Sequence, residues 1–418
     1  MLKRSIVVSP WKWPASLWYG ILAVVLLARF PLNFVFFPPF LMDFDVYYTI
    51  AQRISQGSAA GLYDPTTSDL MMFKYAPCWA LFWLPLAWVS KQAAAVIWAF
   101  LTCVWMLLAM VGAARLCTRM SLKTPPWLGV AVTLLLVRSI SAEFLTGQVN
   151  LLWSALIIGA LVAQTIHRPG WSAFGFACAI SLKLPALLFP IYWIFKKRWD
   201  LLLRTSICFG LINGIAAFLL LPHEPLALFR NWLHVLWSSG QSRAFEIGNQ
   251  TLLSLMGRFF SEDAYHLNIL NLPQPALWGL AATVSFFLFS SVLIGPKTEP
   301  TEEESSRRSV YDASLLIVLM VLCSPTAWIS SYSALILPVT VAIASSWSSP
   351  QKLIRVPAWG ITMALLLALS AMTHSSFWRF LGILYFRRES YVFLVLMILP
   401  WFSLTVFALV WCQRRSCS

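Results

Sequence analysis

Long apolar stretches separated by shorter polar ones run the length of this 418-residue chain. The first, from about Pro14 to Phe37, is long enough at about 1.5 Å per residue to span a hydrocarbon core of roughly 30 Å. Others lie near 76–90, 92–114, 126–142, 148–166, 171–195, 199–221, 276–294, 310–327, 331–346, 353–373 and 391–412. Continuous runs of this kind form helices, which satisfy their own backbone hydrogen bonds in lipid; a barrel would show short alternating segments instead. The pattern therefore predicts an all-α polytopic membrane protein with about twelve transmembrane helices. Lys183-Leu184-Pro185 interrupts the 171–195 run, where proline lets a helix kink or break.

The polar stretches set the expected sidedness. Lys3, Arg4 and Lys12 precede the first run, and Lys196, Lys197, Arg198, Lys352, Arg355, Arg414 and Arg415 fall in short loops or at the end. Basic loops stay in the cytoplasm, which places both termini there. The first run has no small-residue cleavage site and is too long for a signal sequence, so it remains as a helix. Two long polar stretches fall outside, at 38–75 and 222–275, and a third, 295–309, reads as a solvated cytoplasmic linker. The whole chain reads as one integral domain of a cell (inner or plasma) membrane. Strict alternation puts Arg115, Arg119 and Lys123 outside; either the basic-loop rule fails there or the 76–114 region crosses an odd number of times.

Composition narrows the function classes. The chain is 59% hydrophobic and 11% charged, against about 25% charge in soluble domains, which excludes a soluble enzyme. The net charge of +14 follows from basic loops and attraction to anionic headgroups, and no nucleic-acid-binding signature accompanies it. Eight Cys without a CxxC pair and five dispersed His without HExxH spacing predict neither a disulfide framework nor a metal site. Membrane lipids are the partners that remain.

Scarce charge makes each remaining charge informative. Residues 43–54 place Phe44, Tyr47, Ala51 and Ile54 at helical spacing, as in an amphipathic helix lying at the membrane surface with its aromatic face in the headgroups. Asp43 opens that helix, where it can cap the N-terminus or serve as a base. Of 16 carboxylates, six fall in or beside cytoplasmic loops, nine, Asp43 among them, fall outside, and Glu143 fits either side, so ten remain as candidates. Within the apolar runs a charge costs several kcal/mol unless paired or lining a cavity, which singles out Arg29, Arg138, Lys183 and Arg204. Lys183, beside a helix breaker, suits an anionic headgroup such as a lipid phosphate.

These residues carry a resemblance. Asp43-Phe44-x-Val46-Tyr47, Gly57 with Leu62-Tyr63-Asp64-Pro65, and Phe73-Lys74-Tyr75-Ala76-Pro77 resemble the first outer loop of glycosyltransferase family 87. The likeness continues in order through Gly147-Gln148-Val149-Asn150, Leu182-Lys183-Leu184-Pro185 with Lys196-Lys197-Arg198-Trp199, Gly248-Asn249-Gln250-Thr251-Leu252 with Arg258, and Ser324-Pro325-Thr326-Ala327-Trp328. Members of that family are membrane enzymes of GT-C fold that take mannose or a related sugar from a polyprenyl phosphate. The resemblance implies Asp43, not Asp45, as general base. Many mannosyl-transferring members have a His pair where this chain has Ser330-Ser331, a departure that bears on the sugar, the acceptor or both.

On this reading, Lys183 and Arg258 hold the donor phosphate, and Tyr47, Tyr75, Gln148, Asn150, Asn249, Gln250 and Trp328 line the site. One base and one cationic clamp imply a single-displacement, inverting transfer without metal or cofactor, and the resemblance implies a hexose as the group moved, to a lipid or glycan acceptor. The competing readings are a lipid or sugar transporter or flippase, for which broken helices and intramembrane charge are equally natural, and a non-catalytic assembly subunit.

Overall fold

A computed structural model describes residues 15–36, 41–64, 72–246, 248–262, 269–294, 302–348 and 398–416. All regular structure among them is helical. Five helices are long and apolar enough to cross a membrane: Ala15–Phe36, Lys91–Arg119, Trp199–Leu220, Gln274–Leu293 and Ile329–Ser348. The pair Leu128–Leu135 and Val137–Thr146, bent by 71° at its break, makes a sixth if taken as one span. The expected twelve crossings are thus not reached among the described residues, and the run at 353–373 lies outside them.

For one of the twelve runs the short length has a physical cause. Pro77 and Pro85 confine the 76–90 run to a helix, Pro77–Trp83, and a 3₁₀ turn, Leu84–Trp88, together about two thirds of the length a span needs. Lys91–Arg119, at 29 residues, crosses alone. By length the 76–114 region holds one candidate span, an odd number, which is the second of the two alternatives for Arg115, Arg119 and Lys123. Glu302–Ser309, read from the sequence as part of a linker, forms the first turns of the helix Glu302–Leu322.

Hydrogen bonds show which helix ends lie together. At one end Arg119 donates to the Thr165 carbonyl (2.9 Å), the Ser348 hydroxyl accepts from the Lys123 amide (2.7 Å), Lys196 donates to the Leu293 carbonyl (2.9 Å) and Arg414 to that of Val292 (2.8 Å). At the other end the Ala76 amide donates to the Ser181 carbonyl (2.9 Å), and the Gln250 amide to that of Ala327 (2.7 Å). Asn150–Thr165 and Pro169–Leu182 connect the two ends with only 16 and 14 residues, or about 24 and 21 Å. Both are shorter than a hydrocarbon core is thick, and the polar Asn150 and Ser181 at their ends are buried in protein, where each needs a partner.

Pro185 breaks the chain as expected. Pro169–Leu182 stops, Lys183 takes extended backbone (φ −147°, ψ 121°), and a 3₁₀ turn, Leu184–Leu187, leads into Leu188–Phe195.

The helix over Met42–Ser55 forms, but its aromatic face does not lie in headgroups. Phe44, Tyr47, Ile50 and Ala51 are buried in the protein. The Tyr47 ring stacks on Trp83 with centroids 4.7 Å apart and meets Trp98 edge-on at 5.8 Å. Gly147 allows the close approach: it ends Val137–Thr146 at φ 71°, and a Cβ there would come within 2.6 Å of the Phe44 Cβ. Any other residue at 147 would be strained and would push away the turn that carries Asp43.

Candidate active site

The first turn of Met42–Ser55, the Met72–Tyr75 segment, the Gly147-Gln148 turn, the Lys183 break and the Ser324–Trp328 loop converge on a cavity of about 250 Å³. Asp43 lines it. The residue preceding this helix is Leu41, so Asp43 is not the cap. Asp45, two residues on, points elsewhere and pairs with Lys91 at 3.0 Å. Burial raises the Asp43 pKa, opposed by a hydrogen bond from the Gln148 amide and by the charges of Lys183, Lys74 and Arg243.

A buried network holds Lys183. Its ammonium donates to Asn150 Oδ1 (2.5 Å), and Asn150 Nδ2 donates in turn to Glu143 Oε2 (2.7 Å). Glu143 also accepts from the Leu151 amide (2.9 Å) and the Ser333 hydroxyl (3.4 Å). Glu143 and Asn150 are fully buried. A charge at this depth needs such satisfaction, and the network leaves the ammonium at the cavity wall.

Tyr47 and Tyr75 share a hydrogen bond between their hydroxyls (2.8 Å) and both line the cavity. Lys74 is fixed through its carbonyl, which accepts from the Trp232 indole (3.0 Å). Burial, with the like charge of Arg243 adding to it, pushes Lys74 down to about 8 against the pull of Asp43 and Glu246. The Arg243 guanidinium lies 6.0 Å from the centroid of the Trp328 ring, a cation–π distance. Gly248 leaves room for that ring, since a Cβ there would sit 2.6 Å from Trp328 Cζ3.

Of the residues expected in the site, Asp43, Tyr47, Tyr75, Gln148, Lys183 and Trp328 thus line one cavity. Asn150, Asn249, Gln250 and Arg258 do not line it. Asn150 sits behind Lys183. Asn249 clamps two loops, donating to the Ala244 (2.8 Å) and Pro325 (2.9 Å) carbonyls and accepting from the Ala327 amide (2.9 Å). Gln250 is buried, its carbonyl accepting from the Tyr332 hydroxyl. Arg258, 1% exposed, reaches toward the Glu246 carbonyl (3.5 Å).

Two further cations of the cavity wall, Lys74 and Arg243, and the buried Glu143 behind it had no assigned role from the sequence. Lys74 stood inside a recognised motif without a role, and Arg243 was one cation among several in a polar loop. Glu143 had a usable signal: the cost argument that singled out Lys183 applies equally to a carboxylate beside an apolar run, and Asn150 links the two.

A profile of glycosyltransferase family 87 matches residues 73–325. The chain belongs to this family. It is also similar to a polyprenol-phosphate-mannose-dependent alpha-(1-2)-phosphatidylinositol mannoside mannosyltransferase of Mycolicibacterium smegmatis, at 23% identity over 325 residues, covering 73% of this chain and 70% of that protein. This family 87 protein is a multi-pass membrane glycosyltransferase, and the match spans the Lys74, Gln148, Lys183 and Arg243 walls of the cavity.

Proposed function

We propose that this glycosyltransferase moves a mannose-like hexose from a polyprenyl phosphate to a hydroxyl of a lipid-linked or glycan acceptor, by one inverting displacement at the extracytoplasmic end of a cell membrane, with both termini cytoplasmic. The observation that carries the reading is a single carboxylate, Asp43, facing three cations across a 250 Å³ cavity. Asp43 takes the proton from the acceptor hydroxyl as that oxygen bonds to the anomeric carbon. The bond from that carbon to the phosphate oxygen breaks, its electron pair goes to the phosphate, and Lys183, Lys74 and Arg243 stabilise the charge. Three cations around one carboxylate disfavour a divalent ion, so the side chains act without metal. Where the resemblance puts imidazoles, Ser331 lines the wall with its hydroxyl accepting from the Trp328 amide (3.1 Å). Arg243 supplies the positive charge at that corner.

The test is a proteoliposome assay of the full chain with labelled polyprenyl-phosphate mannose and phosphatidylinositol mannoside or glycan acceptors. The expected result is label in the acceptor with inverted anomeric configuration, at a rate unchanged by chelator. Donor binding without turnover on any acceptor would instead support the non-catalytic reading.

Lys74 adds a pH signature. Asp43 must be deprotonated and Lys74 protonated, so kcat/KM for the donor rises with pH through the Asp43 pKa and falls through about 8 as Lys74 loses its proton. Lys74→Arg, whose guanidinium stays charged, is expected to move the alkaline limb upward. An unmoved limb would remove Lys74 from the phosphate site.

A further inference from the structure

A second cavity, of about 290 Å³, lies at the opposite end of the bundle, between Asn150–Thr165, Leu188–Phe195 and Glu302–Leu322. It shares no residue with the Asp43 cavity. The Glu302–Leu322 helix runs from one towards the other, and Arg308 and Leu322 are separated by roughly 21 Å of helical rise.

Lys196, Arg198 and Arg308 line this second cavity together with a single carboxylate, Asp312. That carboxylate is already matched: Arg414 approaches it at 2.5 Å and the Tyr192 hydroxyl donates to it at 2.5 Å. Arg308 also approaches Asp312, at 4.0 Å, and Arg198 pairs with the exposed Asp200 at 3.9 Å, so four cations face two carboxylates and positive charge stays in excess. Gln164 also lines the cavity, and its Nε2 is buried with no hydrogen-bond partner among the described residues. An unsatisfied buried amide is unfavourable, and a bound acceptor oxygen would satisfy it. Phe189, Trp193 and Leu316 supply apolar wall. Ile194, Phe195 and Trp199, all at least 44% exposed, lie beside the cavity, as on a lipid-facing surface at the depth of the headgroups.

We propose that this cavity binds a phosphate group, carried either on an anionic phospholipid or as a soluble ion. Converging cations and an amide donor between membrane helices fit an oxyanion with several acceptor oxygens. The site is independent of sugar transfer.

The test uses the purified full chain in an uncharged detergent and reads its thermal midpoint with dioleoyl-phosphatidylglycerol, with dioleoyl-phosphatidylcholine, or with sodium phosphate against chloride at equal ionic strength. Phosphatidylglycerol is expected to raise the midpoint by at least about 3 °C. The rise should persist in K197Q/R204Q, which removes the same charge outside the cavity, and fall by more than half in K196Q/R198Q. Gln164→Leu deletes only the unpartnered amide, so it should fold and still lose part of the rise. The same pattern with sodium phosphate alone supports the site with a soluble source. Equal shifts in all variants, an equal shift with phosphatidylcholine, or no shift with any probe would overturn the proposal.

Discussion

Asp43→Asn is expected to lower the transfer rate by about 10²–10⁴-fold while the protein stays folded and continues to bind donor. The amide keeps the shape of the carboxylate, and Gln148 can still face it. What is lost is the group that receives the acceptor's proton. Because the substitution removes a negative charge among three cations, donor affinity should hold or improve, so the loss falls on kcat. Burial raises the Asp43 pKa, so the wild-type acid limb should lie above the range of an ordinary carboxylate, and the residual rate of the variant should lack that limb. Asp45→Asn is the control. It removes a partly exposed pair with Lys91, worth about 0–1 kcal/mol, and leaves the cavity unchanged. Wild-type turnover in Asp43→Asn would overturn the assignment, as would equal losses in both variants.

The contrast between two aspartates two residues apart shows what a linear reading resolves. The short helix after the first run was legible because its apolar positions recur at helical spacing. Where its aromatic face packs was not, since that depends on Gly147 and on Trp83 and Trp98, far along the chain. The Lys183 break was legible because proline acts locally. The length of the 76–90 helix was not: hydropathy counts apolar residues but does not show that Pro77 and Pro85 confine that run to a short helix and a 3₁₀ turn. Among site residues, those within a turn of a backbone irregularity came together, as at Gln148 after Gly147 and at Lys183 beside Pro185. Asn249 and Arg258, chosen for their place in a motif, support the loops around the cavity. A motif marks what the fold needs as well as what the chemistry needs.

Lys183 separates those two needs experimentally. Lys183→Met is expected to lower kcat by about 10²–10³-fold, the range for losing one preorganised group that stabilises transition-state charge. It also leaves Glu143 buried and without its cation, held only by Asn150, the Leu151 amide and Ser333. Removing the cation that faces a buried carboxylate across Asn150 destabilises the network as well as the site, so lost activity alone is ambiguous. The double variant Glu143→Gln/Lys183→Met resolves it. A neutral amide beside Asn150 no longer needs the ammonium, so thermal stability should recover most of the loss. Transfer should not recover, because the cavity still lacks the cation on the leaving phosphate. Glu143→Gln alone should keep Lys183 at the wall and lose much less activity than Lys183→Met. If the double variant regains transfer together with stability, Lys183 serves the fold, and the leaving phosphate falls to Lys74 and Arg243.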